Sequence, residues 1–182
     1  TGLPFVGQVY MVVSPPLYFS TAGGSNPPGV TGTADDADIY WWNGSAFSRS
    51  IDVSGITNPL PGGANVDGFG RVDATHFYMS FSGNVTIPIP GPDLSVADED
   101  VVYYDAGAWS LFFDGRANGV AGTDLDAISI VGGTLYFSTD DNDNLPGVAG
   151  PGGDDADIYR WNGGSSYARM FDASALGWST TN

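Results

Sequence analysis

The chain has 182 residues, 42% hydrophobic and 13% aromatic, enough to bury the core of one ordinary domain and too apolar for a disordered acidic tail. Its formal charge of −16 comes from 21 acidic residues against five arginines and no lysine, so phosphate backbones and anionic lipid are repelled and make poor partners. Cysteine is absent, which excludes disulfides and thiolate sites, and no apolar run approaches the ~20 residues of a membrane span.

The opening residue is Thr1 rather than Met and no signal peptide is visible, so we expect a processed, trimmed or partial chain from a secreted or cell-surface protein. With 27 Gly and 12 Pro spread throughout and no sustained helical periodicity, the expected class is all β, with only a weak turn at Ser174 to Trp178.

In chain order the first unit reads Gly7 to Val13, Leu17-Tyr18-Phe19-Ser20, a long Gly/Pro loop, Asp35-Asp36-Ala37-Asp38-Ile39-Tyr40-Trp41-Trp42-Asn43-Gly44, and Phe47 to Asp52. The second repeats this as Val66-Asp67-Gly68-Phe69, Phe77-Tyr78-Met79-Ser80, Asp98 to Gly107, and Trp109 to Asp114. The third follows as Leu125-Asp126-Ala127-Ile128, Leu135-Tyr136-Phe137-Ser138, Asp154 to Gly163, and Tyr167 to Asp172. In each, carboxylates lead into a short aromatic strand closed by an Asn/Asp-plus-small turn, a strand and hairpin signal.

Four strands recurring about every 60 residues is the pattern of a propeller blade. The shared LYFS-like strand, DDADIY-like strand and terminal Phe-Asp give the chain a resemblance to β-propeller repeat families of bacterial surface and secreted proteins. The resemblance covers nearly the whole chain but names no one function. Gly-His…Trp-Asp pairs and Ser-x-Asp-x-Gly-x-x-Trp boxes are missing, so neither WD40 nor sialidase sites carry over. The expected architecture is a single repeat domain over residues 1–182, made of three four-stranded antiparallel blades at roughly 1–61, 62–123 and 124–182. Closed propellers need ~4 to 8 blades, so completion is expected from self-association into a ring or filament, or from further blades in a longer protein.

Of the acidic residues only Glu99 is Glu, and short Asp side chains suit turns and hard-cation cages. The expected calcium ligands lie in three acidic loops. The richest is the third, with Asp140, Asp141 and Asp143 before a Gly/Pro stretch and Asp154, Asp155 and Asp157 after it. The others are Asp36 with Asp38, and Asp98 with Asp100. The EF-hand spacing is absent. Equally, the recurring Asp38, Asp100 and Asp157 fit a structural role, accepting backbone N–H bonds.

Most recurring aromatics belong to a core. Those facing outward among Trp41, Trp42, Tyr104, Trp109 and Trp161 would instead offer stacking platforms for sugars. His76 is the sole histidine and does not repeat, which makes it a weak catalytic residue. Paired carboxylates could run glycoside hydrolysis, but triplicate acidic loops argue for repeated binding or structure. The leading expectation is a non-enzymatic, calcium-stabilised, self-assembling structural or adhesive protein. A propeller lectin is the alternative, and a carboxylate hydrolase a weaker one.

Overall fold

The computed structural model describes residues 16–140, 144–150 and 153–178. Strands β1 (Leu17–Phe19), β2 (Ile39–Trp42) and β3 (Phe47–Ile51) form one antiparallel sheet in the order β1-β2-β3. A second sheet runs β4-β5-β8-β9, from β4 (Val66–Arg71), β5 (His76–Phe81), β8 (Val101–Asp105) and β9 (Ala108–Phe113). The third is β10-β11-β12-β13, from β10 (Ala127–Val131), β11 (Thr134–Ser138), β12 (Ile158–Trp161) and β13 (Tyr167–Phe171). A short 3-10 turn, Ser174–Leu176, follows β13.

The all-β class agrees with the sequence reading, but the count of three four-stranded blades needs correcting. Among the described residues there are four antiparallel sheets, the fourth a two-stranded hairpin of β6 (Val85–Ile87) and β7 (Leu94–Val96) set between β5 and β8. By its sequence this stretch belongs to the long Gly/Pro loop expected between the second and third strands of a repeat. Val85, Ile87 and Val96 alternate with polar residues and are buried, so the hairpin has a core face of its own. The first sheet has three described strands, since the strand expected at Gly7 to Val13 lies outside the described residues. Among the described residues the sheets do not close into a ring.

Tight turns set the register. Between β10 and β11 the two-residue connection is Gly132-Gly133 with φ of 59° and 81°. Both central positions of a primed hairpin turn need this left-handed backbone, and glycine adopts it without a Cβ clash. The acidic strands share a second device. Each of β2, β8 and β12 carries a register shift against its partner at the same place, between Ile39 and Tyr40, Val101 and Val102, and Ile158 and Tyr159.

Two cores lie between the sheets. The first joins Ile39 and Ile51 of the first sheet to Phe77, Met79, Phe81, Tyr104 and Trp109 of the second and to the β6–β7 hairpin. The second joins Val101 and Phe113 of the second sheet to Leu135, Phe137, Tyr159 and Tyr167 of the third. The second sheet is therefore apolar on both faces, with Phe77, Met79 and Trp109 turned to the first core and Val101 and Phe113 to the second, as stacked sheets require. At the second seam β4 lies close on β10. A Cβ at Gly68 would meet Ser80 Oγ and come within 2.8 Å of Ile128 Cγ1, so only glycine permits that approach.

Candidate functional site

The recurring aspartate is a buried latch. Asp38, Asp100 and Asp157 are all buried. In each repeat Oδ2 accepts from the backbone N–H three residues earlier: Asp35 at 3.4 Å, Ala97 at 2.9 Å and Asp154 at 3.3 Å. Oδ1 accepts from the N–H just past the last strand: Val53 at 3.2 Å, Gly115 at 2.9 Å and Ala173 at 3.1 Å. One carboxylate thus ties the entry of the acidic strand to the exit of its neighbour, using donors that burial would otherwise leave unpaired.

The outer repeats add a cation. Arg49 places Nε 3.2 Å from Asp38 Oδ2 and Nη1 3.1 Å from Asp52 Oδ2. Arg169 does the same to Asp157 and Asp172, at 3.0 Å each. The hydroxyls of Tyr40 and Tyr159 donate to the same buried carboxylates. Burial pushes the Asp38 carboxyl up, and Arg49 pulls it back. In the middle repeat Val102 and Leu111 stand where the outer repeats have tyrosine and arginine, and Asp100 keeps only its two backbone donors. Burial raises its pKa.

Carboxylate oxygens of Asp35, Asp38 and Asp52 lie within 4.8 Å of one another, as do those of Asp154, Asp157 and Asp172. That spacing suits a cation, and each triad already holds a guanidinium. Asp154 Oδ2 is buried there without a hydrogen-bond donor. Asp36 accepts from the backbone N–H of Gly24. Asp52, Asp114 and Asp172 cap the following turns by accepting from Gly55, Ala117 and Ala175 N–H.

A different acidic group forms at the seam between the second and third sheets. Burial, and then the charges of Asp126 and Asp140, push the pKa of Asp67 on β4 up to about 6. Asp124 is pushed up to about 7, by burial first and then by Asp67, Asp140, Asp98 and Asp126. The largest influences on both carboxyls are upward ones. Asp124 Oδ1 is buried without a donor, and a cleft of about 310 Å³ opens among Asp126, Asp140, Asp155 and Ala156. Crowded carboxylates relieve their repulsion in one of two ways, by keeping protons or by sharing a cation.

The structure thus divides the expected calcium ligands. Asp140 and Asp155 line the seam cleft and Asp98 acts on it, whereas Asp38, Asp100, Asp154 and Asp157 belong to the latches. Asp141 and Asp143 lie outside the described residues. Asp67, Asp124 and Asp126 were not singled out, although Asp67 and Asp126 recur at one position of the aligned first strands and carried a usable signal.

Of the aromatics, Tyr104 and Trp109 are buried in the first core, Tyr104 stacked on Phe77 and Trp109 edge-on to it, so they offer no face to a sugar. Trp41, Trp42 and Trp161 are half-buried. His76 sits between two carboxylates, with Nδ1 2.8 Å from Asp73 and Nε2 3.1 Å from Asp105, which pins the β4–β5 and β8–β9 turns together. The Asp73 hydrogen bond raises its pKa. No known protein family matches the chain, and no curated protein is significantly similar to it.

Proposed function

We propose that this chain is a non-enzymatic, extracellular structural module that works by stacking its sheets against further copies and by holding calcium in the acidic seam between its second and third sheets. One observation carries the stacking. The residue after the latch aspartate is 0% exposed in the first two repeats, as Ile39 and Val101, and 42% exposed in the third, as Ile158. In repeats one and two the following sheet covers this position, and in repeat three no sheet among the described residues follows. Burying such a face removes apolar area from water, worth about 25 cal/mol per Å².

The calcium part is supported by the crowding of carboxylates at the seam, where burial and neighbouring carboxylates raise Asp67 and Asp124 and Asp124 Oδ1 is buried without a donor. Asp67, Asp124, Asp126 and Asp140 supply the hard oxygen ligands calcium prefers. The millimolar calcium outside cells would fill even a weak site of this kind. A cation bound only to the folded chain adds stability by mass action. Addition of millimolar calcium to the chelator-treated protein therefore raises Tm, and sedimentation shows species larger than one chain as concentration rises. An unchanged Tm removes the calcium claim, and a single-chain mass at every concentration removes the stacking claim.

A further inference from the structure

Each internal joint between sheets is closed by the same pair of hydrogen bonds. At the first, Val66 donates its N–H to the Asp36 carbonyl at 3.2 Å and its own carbonyl accepts from Ser20 Oγ at 3.0 Å. At the second, Leu125 donates to the Asp98 carbonyl at 3.2 Å and accepts from Ser80 Oγ at 3.1 Å. The residue entering each new sheet is therefore clipped on both sides by the sheet before it. Ser138 holds the third copy of the serine position, at the end of β11. Among the described residues no entering strand meets it.

The neighbouring surface repeats too. Gly68 and Gly70 are the small residues of β4 over which Ile128 and Ile130 of the next sheet close. Their counterparts on β10 are Ala127 and Ser129, also small and both exposed. With Tyr136 and Ile158 they border an apolar groove of about 150 Å³.

The opposite end of the molecule shows the converse. At the first position of the LYFS-like strand, Phe77 and Leu135 are 0% exposed because the preceding sheet covers them, whereas Leu17 is 61% exposed. The chain thus has one face shaped to receive a following repeat and another shaped to be received by a preceding one.

Resting on the self-association reading above, we infer that the outer face of the third sheet is the docking surface for the first sheet of a second copy of this chain. The joint is head to tail and sets the face of the first sheet that carries Leu17 over the groove bordered by Ala127, Ser129 and Ile158. Because the two patches are unlike, the contact is heterologous and generates a ring or a filament rather than a two-fold dimer.

The absence of cysteine makes the test clean. Leu17→Cys and Ser129→Cys are prepared separately and treated with a short bis-maleimide. Cross-linked dimers are expected from the mixture and not from either variant alone, and Ser129→Glu should weaken association at least tenfold while Tm stays unchanged, since Ser129 is exposed. Equal cross-linking of Ser129→Cys with itself would overturn the polarity, and undiminished association of Ser129→Glu would overturn the location. A wild-type chain that stays single at all concentrations would remove the self-association reading and this inference together.

Discussion

The middle repeat is a natural variant of the latch, and it separates what the aspartate does from what the arginine adds. Asp100 holds the two ends of its repeat with backbone donors alone, with Leu111 in the arginine position. The carboxylate is thus the indispensable half, and Arg169 is a counter-charge for a group whose backbone bonds survive without it. Asp157→Ala should therefore destabilise more than Arg169→Leu. Removal of the aspartate strips Ala173 and Asp154 N–H of their acceptor and takes from the buried Arg169 guanidinium the carboxylate beside its Nε, a loss of about 3–5 kcal/mol. Removal of the arginine leaves Asp157 with two backbone donors and the Tyr159 hydroxyl, a loss of about 1–3 kcal/mol. Urea unfolding of the two variants measures the order, and equal losses would mean the salt bridge rather than the backbone tie sets the latch.

Between elements, the seam of β4 against β10 crowds carboxylates together, with Asp67 and Asp124 both raised by burial and by their acidic neighbours. A carboxyl whose pKa is higher folded than unfolded binds its proton more tightly in the folded chain. Its contribution to stability is complete below the unfolded value near 4 and is lost as pH rises through the folded one. Asp67 at about 6 and Asp124 at about 7 put that loss between about pH 5 and 8. Asp52, Asp73 and Asp172 are shifted down and act in the opposite sense, below about pH 4. In chelator, Tm should fall as pH climbs from about 5 to about 8, and calcium should flatten the fall. The raised pKa of His76 drives a fall of the same sign, but calcium leaves that part untouched. A chelator profile that rises over this range would contradict the crowded seam. The latches were legible in the sequence because the same Asp recurs just before each acidic strand. The seam was legible only in part: Asp67 and Asp126 recur at one aligned position, but only packing brings them near Asp124 and Asp140. The β6–β7 hairpin was hidden for a related reason. Pro88, Pro90, Gly91 and Pro92 dominate its turn and mask three-residue strands whose alternation is too short to stand out.

For the molecule as a whole, apolar end faces and a net charge of −16 act against each other when copies meet. Two of the five arginines, Arg49 and Arg169, are already committed to latch carboxylates, so little positive charge remains to offset the repulsion between chains. At low ionic strength the Debye length is about 30 Å, longer than the spacing between stacked sheets, and each chain feels the full charge of the next. At high salt it shrinks to a few ångströms, about 3 Å at 1 M, and the apolar contact between the third sheet and its partner is left to dominate. Association should therefore strengthen as NaCl is raised from about 10 mM to about 500 mM, by roughly tenfold or more in the dissociation constant read by sedimentation equilibrium. Calcium at millimolar levels should do the same at much lower ionic strength, because it removes charge at the seam itself rather than screening it from a distance. A joint held by ion pairs would show the reverse, loosening as salt rises, and that trend would move the contact away from the apolar face carrying Ile158 and Ser129.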